Sequence, residues 1–351
     1  MGAKKLNPVF KSLNPEEILN HNKELENHLK SFGLFDVKNG NEWIEQAKGR
    51  PVPKMLFSEF WHENELCILF ADTNLGKSIL AVQIADSISK GEAIQGFKLE
   101  GEAQKVLYFD FELSDKQFEN RYSENFENHY QWKGNFLRVE INPNAELPEH
   151  QPFEDYLNES LEKTIIQTGA KILIIDNLTY LKNETEKAKD ALPLMKHLKA
   201  LKSKYGLSIL ALAHTPKRDL TKPITRNDLS GSKMLINFID SSFSIGESHS
   251  DKHLRYIKQI KERHTEKIYD SENVIVCQVH KPFNFLQFEF VGYGTEREHL
   301  KELTEKDRES RISEALELKK QNVSNVQIAK QLGVSEGAIR KWIKKGIENG
   351  K

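Results

Sequence analysis

Residues 66–90 read LCILFADTNLGKSILAVQIADSISK, and this stretch decides the fold. The apolar run Leu66 to Phe70 has the length and composition of a buried strand. It breaks at Ala71-Asp72-Thr73-Asn74-Leu75-Gly76-Lys77-Ser78, after which Ile79, Leu80, Val82, Ile84, Ala85 and Ile88 recur with helical spacing. Strand, tight loop and helix in that order make a phosphate-binding loop, because successive backbone N–H groups and the positive end of the helix form a concave anion site. The span Ala71 to Ile79 (Ala71, Asp72, Thr73, Asn74, Leu75, Gly76, Lys77, Ser78, Ile79) is therefore the candidate nucleotide-binding segment. Gly76 lets the chain wrap a phosphate without a Cβ in the way, Lys77 offers a charge to the β and γ phosphates, and Ser78 offers a hydroxyl to Mg²⁺. The signature expects glycine at its first position. Ala71 stands there, which requires a turn whose φ tolerates a Cβ.

Working outward, 351 residues give room for one large domain and a small one, and 38% hydrophobic content suffices for a core. The net charge of −1 means that affinity for nucleic acid has to come from local basic patches. The two cysteines, Cys67 and Cys277, lie in apolar strand-like runs, which suits buried thiols in a reducing compartment. Neither they nor the twelve histidines show metal-ligand spacing. With no apolar leader at the start and no run approaching the roughly 18 apolar residues of a membrane span, a cytoplasmic protein is expected.

Toward the N-terminus, Asn14-Pro15-Glu16-Glu17 predicts a helix start. Ile18, Leu25, Leu29 and Phe32 lie on one stripe before Gly33, a stripe suited either to the helix's own domain or to a neighbouring subunit. Residues 36–62 read as an irregular lead-in. Beyond the loop, Val106 to Glu112 is a second strand ending in a carboxylate; ligands of parallel sheets gather outside the carboxyl ends of strands, so Glu112 is a candidate catalytic base or a solvated loop acid. A helix over 114–131, a strand over 136–141 and a helix over 153–168 are expected next. Lys171 to Asn177 then gives a fully apolar strand ending in Asp176, the partner Ser78 needs for a metal hydration shell. A helix over 187–205 leads to the strand Leu207 to Ala213 and to His214, either a γ-phosphate sensor or a structural histidine. The following loop, 217–231, carries Lys217, Arg218, Lys222 and Arg226 and reads as mobile or phosphate-contacting. Strands are expected over 238–245, 254–260, 274–279 and 283–290, with the basic cluster Lys261-Glu262-Arg263-His264 between two of them.

In order, ADTNLGKS, VLYFDFE, ILIIDN, LALAHT and IKERH resemble the motifs of RecA-like ring ATPases, AAA family ATPases of the DnaB-type and plasmid RepA-type replicative helicases, over residues 46–290. That family also carries Ala at the first loop position. The resemblance implies an α/β RecA-like P-loop NTPase core with a mostly parallel central sheet. It further implies ATP and Mg²⁺ as ligands, Lys77 and Ser78 as their contacts, Glu112 as catalytic base and Asp176 as the metal carboxylate. His214 becomes the sensor coupled to a DNA loop, and Lys261 and Arg263 the charges offered in trans across a subunit boundary. Two differences stand out. The primase-binding N-terminal domain of DnaB-type helicases is replaced by a short helical segment, and an addition follows the core.

That addition reads as a charged linker over 295–310 and then three helices. Ile312, Ala315, Leu316 and Leu318 mark the first, 326–332 is the second, and 336–345 the third, capped by Ser335. Ala329 at a helix crossing, Gly333 at the turn, and Val334 and Ile339 beyond it fit a helix-turn-helix. Between Lys319 and Lys345, Lys319, Lys320, Lys330, Arg340, Lys341, Lys344 and Lys345 face the single acid Glu336. Arg340, Lys341, Lys344 and Lys345 are accordingly the candidate contacts to double-stranded DNA, with Lys217, Arg218 and Arg226 the candidates for single strands in the core loop. The expected organisation is a 1–45 helical segment, a 46–294 ATPase domain, the linker, and a 311–351 helix-turn-helix domain. Two plans fit it: a ring motor, hexameric in this family, or a DNA-binding ATPase switch that does not unwind. A strand-exchange protein fits the C-terminal addition less well.

Overall fold

The computed structural model describes residues 35–178, 180, 191–229, 232–264, 266–302, 305–332 and 334–349, without the side chains of 191, 192, 232–234, 305–308 and 345–349. The expected helix over 14–33 lies outside the described residues. The chain divides into two units, Met1–Val52 and Pro53–Lys351. The described part of the first holds α1 (Gly40–Lys48). There Asn39 accepts from the Glu42 amide and Glu42 reaches back to the Asn39 amide, a reciprocal cap inside the stretch expected to be irregular.

In the second unit, β1 (Met55–Phe57) and β2 (Trp61–His62) pair antiparallel and lead into β3 (Leu66–Ala71). After α2 (Lys77–Lys90) come β4 (Val106–Asp110), α3 (Asp115–Arg121), the small pair β5 (Ser123–Glu124) and β6 (Asn128–His129), and β7 (Phe136–Val139). Next are α4 (Phe153–Thr168), β8 (Ile172–Asp176), α5 (Ala191–Tyr205), β9 (Ser208–His214) and α6 (Ser232–Phe238). The strands β10 (Ser241–Glu247), β11 (Leu254–Lys261), β12 (Val274–His280) and β13 (Gln287–Gly294) complete one nine-stranded sheet of order β13-β12-β11-β10-β3-β9-β8-β4-β7. From β10 to β7 every neighbour is parallel, and β11 to β13 extend the sheet antiparallel.

A sheet covered on both faces needs strands that are apolar on both faces. In β3, Cys67, Leu69 and Ala71 join one core with α2, Phe57, Phe60, Trp61 and Phe288. Leu66, Ile68 and Phe70 join the other with α4 and α5. This is the RecA-like P-loop core, with the phosphate-loop strand separated from the Asp176 strand by β9.

Three stretches differ from the sequence reading. The helix expected to reach 131 stops at Arg121: Asn125 and Phe126 adopt positive φ and turn the chain back into a β5–β6 hairpin. Burying Phe118, Tyr122, Tyr130 and Trp132 in one aromatic cluster with Phe285 outweighs continued helix. Phe238 closes α6 and does not open a strand, and the last strand starts at Gln287, leaving Phe283 exposed. The stretch expected as a linker contains α7 (Glu296–His299), where Glu296 is fully buried and pairs with Lys258 at 2.5 Å.

Beyond α7, α8 (Glu305–Lys320), α9 (Asn325–Leu332) and α10 (Glu336–Asn349) pack together around Ala315, Ile328, Ala329 and Ile339. Gly333, assigned to the turn, lies outside the described residues.

Candidate active site

The C-terminal ends of β3, β9, β8 and β4 meet at one rim of the sheet, where Ala71 pairs with His214 and Asp110 with Asp176. Three of these strands end in a polar residue at that rim, β4 in Asp110, β8 in Asp176 and β9 in His214, while β3 runs through Ala71 into the phosphate loop.

Ala71 belongs to the strand and keeps extended backbone, so its Cβ causes no strain; the turn is made at Asn74 (φ 65°) and Gly76 (φ 93°). Gly76 is required twice over, since a Cβ there would lie 2.9 Å from the ring of Phe288. Phe288 is held in place by Gln83 of α2, which donates to its carbonyl at 3.0 Å and accepts from its amide at 2.9 Å. α2 starts at Gly76 with no side-chain cap, which leaves the N-terminal amides for an anion. Lys77 is buried and donates to the carbonyls of Ala71 and Asp72 at 3.0 Å each. Burial lowers its pKa, while Asp176, Glu112 and Asp72 pull it the other way.

Asp176 is 1% exposed and accepts from the Tyr108 hydroxyl at 2.7 Å. Burial raises its pKa to about 6, opposed by hydrogen bonds from Ser78 and Tyr108. A serine hydroxyl and a buried carboxylate side by side are hard oxygen donors, the set that suits Mg²⁺.

Glu112 stands on the loop after β4. Asp110 shapes that loop by accepting from the amides of Glu112 and Leu113 at 3.2 and 3.0 Å, and is itself held by Arg138 at 2.9 Å. The Glu112 carboxylate accepts a hydrogen bond from the Asn177 amide group and lies 3.7 Å from His214 Nε2; Asn177 also lies 3.2 Å from that nitrogen. His214 is the largest cause of a lowered Glu112 pKa, with Lys77 and Asn177 adding to it against the opposing effect of burial. Asn177, Asp110 and Tyr108 were not singled out from sequence. The available signal was their position at or beside the ends of the two diagnostic strands.

The remaining candidates separate. Arg218 was expected to contact DNA, but its side chain is 5% exposed and donates to Asp72 at 3.1 Å and to the Lys222 carbonyl at 3.3 Å. Its guanidinium balances the phosphate-loop carboxylate, which the Thr215 hydroxyl also bonds. Lys217 and Arg226 are exposed. Lys261 and Arg263 lie at the far end of the sheet from the phosphate loop. Lys261 donates to the carbonyls of Ile236 and Ile239 at 2.5 and 2.7 Å, and burial lowers its pKa, so it is turned inward and not offered outward. Arg263 is half-exposed, 3.5 Å from Asp240 and 3.3 Å from the Asn237 carbonyl. On α10, Arg340, Lys341 and Lys344 are exposed, Arg340 pairing with Glu336 at 2.8 Å; the Lys345 side chain lies outside the described residues.

No helix among the described residues is long and apolar enough to cross a membrane. No curated protein sequence matches the chain. Among solved structures, a KaiC-like protein from the hyperthermophilic archaeon Pyrococcus horikoshii OT3 is similar at 14% identity and a TM-score of 0.45, over 68% of this chain and 99% of that one. The AAA domain family model AAA_25 matches residues 36–219, which span the phosphate loop, Glu112, Asp176 and His214 and make up just over half of the sequence. The chain thus belongs to that family of AAA domain proteins.

Proposed function

We propose that this P-loop ATPase is a DNA-acting ring motor of the replicative-helicase type, serving a plasmid, phage or other mobile element in the cytoplasm. One observation carries the reading. An uncapped helix N-terminus, a buried lysine, a hydroxyl–carboxylate pair and an ionised glutamate converge on the rim of a single parallel sheet.

ATP seats its β and γ phosphates on the α2 amides and Lys77, replacing the two carbonyls that Lys77 now bonds. Ser78 and Asp176 would hold Mg²⁺, which when bound neutralises charge on the phosphates. Glu112, held ionised by its neighbours, orients the water that attacks the γ phosphorus and accepts its proton as ADP leaves. His214 and Asn177 share that carboxylate, so a change at the γ phosphate reaches the end of β9. From there it passes through Thr215 and Arg218 to Asp72 and the loop after residue 217.

Arg263 cannot serve its own site. It lies beside Asp240, which accepts from the Leu66 amide at the start of β3, and the phosphate loop begins at the other end of that strand, about 17 Å away at ~3.3 Å per residue. An arginine so placed and half-exposed suits a finger offered to the next subunit of a ring, hexameric in the resembled family. Lys217 and Arg226 would track single-stranded DNA. α9 and α10 form a helix-turn-helix whose exposed Arg340, Lys341 and Lys344 suit a major groove.

A second reading, a nucleotide-controlled switch without unwinding, is favoured by one link. Arg311 of α8 bonds Asp219 at 3.3 Å, next to Arg218, so the nucleotide loop reaches the C-terminal helices through two adjacent ion pairs. Forked-duplex unwinding with ATP decides between the two. The motor reading expects DNA-stimulated turnover with strand separation, and turnover with no separation on any fork geometry leaves the switch.

A further inference from the structure

At the end of β3 opposite the nucleotide, three ligand-type side chains from distant parts of the chain converge. His62 closes β2, Glu65 stands one residue before β3, and Glu262 follows β11; one ligand atom from each lies within 4.8 Å of the others. His62 is 2% and Glu65 7% exposed, so this is not a solvated acidic face. We propose that His62, Glu65 and Glu262 form a binding site for a divalent transition-metal ion, separate from the nucleotide's Mg²⁺.

Each side chain is already oriented by a second partner. Glu65 accepts from the His62 amide at 3.1 Å and from the Ser241 hydroxyl at 2.7 Å. Glu262 accepts from the amides of Arg263 and His264 at 2.9 Å each. Among the described residues the buried His62 Nδ1 has no hydrogen-bond partner, an uncommon and costly state for an imidazole nitrogen that a metal would relieve. The charges felt by Glu65 are those of Glu262 and Asp240, both carboxylates, while the nearby cations Lys202 and Arg263 are engaged with Asp240. A cation bound among the three would offset the cost of burying the Glu65 carboxyl group. Imidazole with two carboxylates suits Zn²⁺, Co²⁺ or Mn²⁺ more than Mg²⁺. At metal–ligand lengths of about 2.0–2.2 Å the ligands would sit roughly 3.5 Å apart, so the cluster has to close by about an ångström. The His264 ring, 4.6 Å from that of His62, stands next to the site. Sequence spacing hid the cluster because Glu262 is two hundred residues from His62. A bound ion would tie the segment carrying Arg263 to the β2–β3 corner.

The test uses the untagged full-length chain, stripped of metal and free of nucleotide. It is titrated with Zn²⁺ by calorimetry and with Co²⁺ by visible absorption. One equivalent per chain is expected, with affinity lowered tenfold or more in His62→Ala and in Glu262→Gln and unchanged in Asp176→Asn. Glu262→Gln, at the least buried of the three positions, is the variant to rely on, its fold checked by circular dichroism. Absence of stoichiometric binding by the unaltered chain, or unaltered affinity in folded Glu262→Gln, overturns the site.

Discussion

Asp176 ends β8 and Glu112 stands two residues beyond the end of the neighbouring β4, yet their surroundings move their protons in opposite directions. The His214 imidazole lowers the Glu112 pKa, so this side chain is ionised at neutral pH and suits aligning water more than strong proton abstraction. Glu112→Gln keeps the hydrogen-bonding shape and is expected to retain ATP binding while turnover falls by at least a hundredfold, as removal of a general base does. Lys77→Ala is expected to abolish binding itself; equilibrium binding of a fluorescent ATP analogue separates the two. Asp176 behaves conversely: burial raises its pKa from 3.8 to about 6. The folded state then holds a proton the unfolded chain has released between those pH values, so this group's contribution to stability falls as pH rises from 3.8 to 6 and stays low above. Charged Asp176 therefore costs the nucleotide-free protein on the order of 3 kcal/mol at neutral pH. Asp176→Asn is expected to raise the melting midpoint of that form at pH 8 and to raise it much less at pH 4. Equal shifts at both pH values would contradict a raised pKa.

Among the elements, stability is unevenly distributed. β3, β8 and β9 are buried along almost their whole length between two helical layers, whereas α8, α9 and α10 rest, among the described residues, on four buried side chains. Removing one of the four, as in Ile339→Ala, deletes about 2–4 kcal/mol from a core that has little to lose. The expected outcome is rapid proteolysis after residue 300 with ATP binding unchanged, read by limited digestion and titration on one sample. Coupled loss of ATP binding would mean that the C-terminal helices support the core. The same unevenness explains what was legible in the sequence. α4, β8 and β12 could be placed closely because an uninterrupted period or apolar run leaves one solution. The β5–β6 hairpin could not, because the gain that ends α3 comes from Phe285, distant in sequence. The phosphate loop, Asp176 and His214 were visible as polar breaks after apolar runs. Arg218 reads from sequence as an outward-facing loop cation, because its partner Asp72 lies 146 residues away and a basic residue in a polar loop gives no sign of facing inward.

For the whole molecule, the sheet sets a direction. Its carboxyl rim holds the groups that line the phosphate loop and its opposite rim holds Arg263, so on the proposed ring reading one copy presents its phosphate rim on one side and the half-exposed Arg263 on the other. A head-to-tail assembly brings these together and closes into a ring if the rotation permits. Within a subunit, Arg263 balances Asp240 and the carbonyl end of α6, a half-exposed arrangement of small worth, so withdrawing it toward a neighbour's phosphate costs little. Complementation separates cis from trans. Arg263→Ala subunits keep an intact phosphate rim and Glu112→Gln subunits keep an intact arginine, and each variant alone should be inactive. Mixed one to one, some interfaces pair an intact Glu112 rim with an intact Arg263, and these should recover on the order of a quarter of the unaltered ATPase rate if each interface works independently. The recovery should rise and then fall as the ratio is varied, and it should vanish on dilution below the assembly threshold. Mixtures that remain at the sum of their inactive parts, in rings shown by light scattering to contain both variants, would place Arg263 outside the reaction.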